Sequence, residues 1–99
     1  MLTINKTSEN GKAILAPDGR LDSVTAPELE SAVREVLPGL TELKFDFANL
    51  EYISSAGLRV LLSAQKAMNS QGKMTISNVN ESVMEIFDVT GFSDILTIE

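Results

Sequence analysis

Two adjacent serines, Ser54 and Ser55, stand before Ala56, Gly57 and an apolar stretch that begins at Leu58. A serine just ahead of such a stretch is a favoured helix cap. A serine in the first turn of a helix is also exposed and backed by free N–H groups. A phosphate placed there adds about −1.5 to −2 charge. The end of the helix tolerates that charge, so the local fold need not break. The pair therefore has two readings, a helix cap and a phosphate acceptor. The carboxylates Asp22, Asp46 and Glu51 offer a different chemistry, general acid–base catalysis, which needs a cleft that shifts a pKa. Each also has a plainer reading. Asp22 is a turn former ahead of a helix, Asp46 a solvated strand residue, and Glu51 and Tyr52 surface residues of a loop.

What the chain lacks narrows the choice. There is no cysteine and no histidine among its 99 residues. That removes disulfides, thiol nucleophiles, thiolate or imidazole metal sites and the Ser-His-Asp triad. No glycine-rich phosphate loop accompanies the carboxylates. We therefore expect neither an enzyme nor a bound metal or cofactor. The 14 acidic and 8 basic residues leave a net charge of −6, which repels phosphate backbones and disfavours nucleic-acid binding. No apolar run approaches the ~20 residues of a membrane helix. The first residues have no apolar signal-peptide core, so no membrane partner and a cytoplasmic location are expected. With 43% hydrophobic and 22% charged residues, the chain has the composition of one globular domain.

The elements that must position these groups follow from the hydrophobic pattern. Leu2 and Ile4 alternate with polar residues, as in a strand. Asn10-Gly11 signals a hairpin turn, because both positions need positive φ. Ala13 to Ala16 is the expected returning strand. Asp18-Gly19 signals a second turn, with a short extended piece at Arg20 to Asp22. Thr25 and Glu28 read as a capping box with Pro27 in the first turn. Ala26, Leu29, Val33, Val36 and Leu37 give that helix an apolar stripe, and Pro38-Gly39 stops it. Leu43, Phe45 and Phe47 mark a strand, and Asn49 to Ile53 reads as a connection. A second helix starts near Ser54 or Ser55 and runs to about Ser70, with Gly72 as its stop. Met74 and Ile76 mark a strand. Asn80 caps a third helix, Gly91 ends it, and Ile95, Leu96 and Ile98 form a last short strand or helix. Met68, Met74 and Met84 read as core filler. Strand and helix in alternation imply parallel crossovers. The expected fold is α/β, a mixed sheet of about four to five strands with helices against it.

The segment FDFANLEYISSAGLRVLL, from Phe45 to Leu62, resembles the anti-sigma factor antagonists of the STAS-domain family. Their pattern is an apolar strand with Asp, a loop, a Ser-rich turn, then Gly-Leu and a helix. Gly19-Arg-Leu-Asp22 with Thr25-Ala-Pro-Glu-Leu29 is similar to the family's entry into its first helix. Gly72 to Ile76 and Val89 to Phe92 resemble its later strand and third-helix end. The likeness covers nearly the whole chain, one STAS domain over residues 1–99.

The resemblance implies partner switching. The unmodified antagonist binds an anti-sigma factor that is itself a Ser/Thr kinase carrying ATP or ADP, and so frees the sigma factor. Phosphorylation abolishes binding, and a PP2C-type serine phosphatase resets the switch. It places the acceptor at Ser55, with Ser54 as the alternative because Ser54 stands where an Asp commonly precedes the acceptor. It further implies partner contacts at Asp22, Thr25, Glu51, Tyr52, Ser54, Ser55 and Gly57, with Asp46 near the phosphosite. Thr25 otherwise reads as a cap and Gly57 as a packing glycine. A second role open to the same fold is a scaffold or regulatory subunit of a stress-signalling or transport complex.

Overall fold

A computed structural model describes residues 2–99. The chain opens with a hairpin of β1 (Leu2–Glu9) and β2 (Lys12–Leu21). Asn10 and Gly11 close it with φ of 51° and 80°, the doubly positive turn whose twist matches a hairpin. β2 is longer than expected and runs straight through Asp18-Gly19. On one edge Thr3 and Leu2 of β1 pair with Asp18 and Gly19. On the other, Gly19 to Leu21 pair with a further strand. The turn signal is instead a bulge: Gly19 has φ 119°, and the register shifts between Gly19 and Arg20. Ladder bonds on both edges outweigh a local preference to turn.

β3 (Glu42–Asp46) and β4 (Leu50–Ile53) both run parallel to β2 and lie end to end along one of its edges. Phe45 lies opposite Leu15 and Ile53 opposite Leu21. The expected connection Asn49 to Ile53 is therefore mostly strand. A turn closed by the Leu50 N–H on the Phe47 carbonyl returns the chain to β2, and burial of Leu50 and Ile53 fixes it there. β5 (Lys73–Ser77) joins the far edge of β3, also parallel. The five strands form one mixed sheet, with β1 the antiparallel member.

Alternation along β2 buries Ala13, Leu15 and Leu21 and turns Lys12, Ile14 and Arg20 outward. Leu43 and Phe45 of β3, and Met74 and Ile76 of β5, extend the inner face. Over it lie α1 (Ala26–Val36), α2 (Ser55–Asn69) and α3 (Glu81–Thr90). Leu29 and Val33 are the buried stripe of α1, Leu61 and Met68 of α2, and Val83 and Phe87 of α3. Asn80 caps α3 by accepting from the Val83 N–H at 2.8 Å, and Gly91 ends it with φ 81°. Gly72 does not end α2 through a left-handed turn. A Cβ there would lie 1.9 Å from the Thr41 carbonyl oxygen, so this glycine serves close backbone approach. Beyond a 3₁₀ turn at Phe92–Asp94, the tail adds a single bridge from Ile98 to Ile76 instead of a full element.

Candidate functional site

β2 and β4 end side by side, so the loop after β2 and the start of α2 are neighbours. The join is direct: the Ser54 N–H donates to the Leu21 carbonyl at 2.8 Å. In sheets with parallel strands, such carboxyl ends are where binding sites collect.

Ser54 is extended, with φ −100° and ψ 177°, and its carbonyl accepts the first helical bond, from Leu58. Its hydroxyl caps nothing. The Ser54 Oγ is shielded from solvent and has no hydrogen-bond partner among the described residues. Ser55 is the first residue of α2 and is exposed. The two hydroxyls thus differ: one is tucked in, the other faces solvent. Gly57 sets their height. A Cβ on it would lie 2.7 Å from Cγ of Leu21 and 2.8 Å from Cγ1 of Ile53. Only a glycine lets α2 rest on the ends of both strands. Gly57 is buried, so its part in the site is to set the height of α2.

The neighbouring loop is held by side chains. Oδ1 of Asp22 accepts from the N–H groups of Val24 at 3.0 Å and Thr25 at 3.1 Å. The Thr25 N–H is the main reason the Asp22 carboxyl stays below its ordinary pKa; desolvation opposes it, and the Val24 N–H, the Thr25 hydroxyl and the charge of Arg20 add smaller lowering effects. The Thr25 hydroxyl donates to the Arg20 carbonyl at 2.8 Å and accepts from the Asp22 N–H at 2.9 Å. Thr25 is only 5% exposed. It makes no side-chain cap bond to α1, so the expected capping box with Glu28 does not form. Its hydroxyl is committed to tying β2 to the loop.

Four residues around the serines face outward. Tyr52, 37% exposed, lies opposite Arg20, whose guanidinium sits 4.5 Å from the ring centroid. That distance suits a cation–π contact. Glu51 is exposed beside it. Sequence reasoning overlooked Arg20 and Val24. Val24 is 80% exposed at the loop tip; its available signal was an apolar residue alone among Asp22, Ser23 and Thr25. Asp46 is not part of this group. It follows Phe45, which is level with Leu15, whereas Ile53 is level with Leu21. The intervening strand length puts it about 16–20 Å from the serine end. Its carboxylate accepts from the Ala48 N–H and the Asn78 amide, and the Asn78 bond chiefly lowers its pKa. Asp46 ties two turns together, away from Ser54 and Ser55.

Between α1 and α2 runs an open groove of about 440 Å³, lined in part by Ala26 and Glu30 of α1 and by Ala56, Arg59, Val60 and Lys66 of α2. Its lining includes Ala56, the residue after Ser55. Among the described residues no three acidic side chains gather as a metal site, and no helix is long and apolar enough to cross a membrane.

The molecule is an α/β domain whose mixed sheet carries an exposed hydroxyl, an aromatic and an apolar side chain at its carboxyl end. Comparison with known proteins is specific: the STAS domain profile matches residues 3–99, and the chain belongs to that family. It is 33% identical over 82 residues to an anti-sigma-B factor antagonist of Staphylococcus epidermidis, covering 81% of this chain and 76% of that one. An anti-sigma factor antagonist from Mycobacterium paratuberculosis superposes with a TM-score of 0.89 at 21% identity, over 99% of this chain and 85% of that one. The Bacillus cell fate determinant SpoIIAA, solved in its phosphorylated form, superposes at 0.76 with 13% identity, over 98% and 91%.

Proposed function

We propose that this protein is an anti-sigma factor antagonist whose unmodified form binds an anti-sigma Ser/Thr kinase and releases a sigma factor, and whose binding is abolished by phosphorylation at Ser55. The protein is then the substrate of a kinase that supplies the ATP, and a serine phosphatase restores it. The observation that carries this reading is the exposed Ser55 at the first turn of α2, beside the exposed Tyr52 and Val24. The name of the 33%-identical relative supports it, as does the existence of a phosphorylated SpoIIAA of the same fold. Ser54 is the weaker acceptor because its hydroxyl is shielded. Asp22, Glu51, Tyr52 and Ser55 make up the proposed contact surface, while Thr25 and Gly57 hold it in shape.

The physical mechanism is local. Ser55 makes no bond that a phosphate would break, and the first turn of a helix tolerates negative charge. The cost falls on the interface, where burying a phosphate without a matched cation costs several kcal/mol. A loss of about 2.8 kcal/mol already weakens binding about a hundredfold.

The test is peptide mass spectrometry of the protein from its own cells, with Ser55→Ala as control, followed by kinase capture with the unmodified protein. Phosphate on Ser55 and loss of capture on modification are expected. Phosphate on Ser54 moves the site by one residue. Absence of phosphate in all growth phases overturns the switch and favours a constitutive scaffold.

A further inference from the structure

We infer that a phosphate on Ser55 is gripped by the guanidinium of Arg59, one turn further along α2, at the mouth of the α1–α2 groove. This rests on Ser55 being the acceptor. Ser55 and Arg59 stand four residues apart in the same helix. Residues at that spacing are neighbours on one face, about 5–6 Å apart at Cβ. Side chains in a helix lean toward its N-terminus, so a long side chain at 59 reaches back over the turn that carries Ser55. An anion four residues before a cation is also the favourable order.

Arg59 is available for the role. It is exposed, and among the described residues it takes part in none of the ion pairs. Its nearest acidic competitor across the groove, Glu30, is paired with Arg34 at 3.3 Å. The other cations are worse placed. Arg20 lies over the Tyr52 ring. Lys66 lines the same groove but sits three turns from Ser55, about 16 Å along the axis. The planar guanidinium donates in a fork that matches phosphate oxygens.

The grip changes what the modification does. Before it, the groove mouth offers a free cation in a chain of net charge −6. After it, that cation is occupied by the protein's own phosphate and is lost to any acidic group of a partner. Modification both adds an anion and withdraws a cation on one face, and α2 gains an ion pair.

The experiment uses the full chain with phosphoserine installed at position 55 during synthesis, beside the unmodified chain. Each is made with Arg59, Arg59→Gln and Arg59→Lys. Thermal midpoints and the Nε–H resonance of Arg59 are read at fixed pH. Phosphoserine should raise the midpoint by about 2–4 °C with Arg59. The gain should fall by at least half in Arg59→Gln, survive in part in Arg59→Lys, and come with a shift of the Nε–H resonance. An equal gain in Arg59→Gln with an unmoved resonance overturns the grip. So does a gain that disappears in Arg20→Gln instead. If the native protein carries no phosphate on Ser55 while the grip appears in the synthetic form, the functional reading fails and the geometry stands. If native phosphate is found and the gain ignores Arg59, the reverse holds.

Discussion

The starts of α1 and α2 lie side by side at the same end of the sheet, yet they are held in opposite ways. Ahead of α1, Asp22 and Thr25 spend nearly every polar atom on the loop: two backbone N–H groups enter the Asp22 carboxylate, and the Thr25 hydroxyl bridges Asp22 and Arg20. At α2 the fixing is done by backbone and packing alone. The Ser54 N–H bonds to Leu21, Gly57 fits against Leu21 and Ile53, and the two serine side chains make no hydrogen bond that the fold needs. α3 shows what an occupied cap looks like, with Asn80 bonded to Val83. A helix start fixed by backbone and packing leaves its hydroxyls unbonded. α2 can release its serines because the neighbouring loop is locked and the glycine sets the helix height.

The comparison breaks most severely at Gly57. Gly57→Ala forces a methyl within 3 Å of Leu21 and Ile53 and should destabilise by about 2–3 kcal/mol. Urea unfolding measures this, and faster hydrogen exchange at the Ser54 N–H locates it. Next comes Thr25→Val, similar in shape but without the hydroxyl. It leaves the Arg20 carbonyl and the Asp22 N–H without a partner and should cost about 1.5–2 kcal/mol. A change under 0.5 kcal/mol in the urea midpoint series would mean the loop is not locked as described.

Acid sharpens the contrast more gently. Asp22 and Asp46 have folded-state pKa values below the ordinary 3.8, so both stabilise the fold when ionised. Their contribution is complete at pH values well above 3.8 and is lost as pH falls through the depressed folded values. Stability should therefore be level in this respect from pH 7 to about 5 and decline below about 4. Asp22→Asn should flatten part of that decline, seen in urea midpoints against pH. Ser54→Ala should show the smallest effect, within about 0.5 kcal/mol or slightly stabilising, because a shielded hydroxyl without a partner is removed. A loss of 1 kcal/mol or more in calorimetry would show that Ser54 caps α2 in solution.

The readable part of the molecule was the part governed by short-range rules. Asn10-Gly11 turns the hairpin because both positions take positive φ. Asn80 and Gly91 bound α3 through contacts within a few residues. The apolar spacing from Leu58 to Met68 places a helix start near Ser54 or Ser55, and the family resemblance singled out Ser55 of the two. The misread parts depend on partners far away in the chain. The Asp18-Gly19 signal yields to pairing with both β1 and β4. Leu50 to Ile53 becomes a strand only because β2 outruns β3 and leaves an edge to fill. Thr25 has the composition of a cap, but the carbonyl of Arg20 claims its hydroxyl.

By itself the sequence determined the α/β class, the three helices, the hairpin and the two serines at the head of α2, since periodicity and turn chemistry act over a few residues. Tertiary structure decided which hydroxyl is free, that Gly57 is a spacer, that Asp46 belongs to a different corner and that Arg20 and Val24 flank the serines. Each of these depends on the level at which one strand ends against another. Strand level is set by burial and ladder bonds summed over the whole sheet, and no local run of residues carries it.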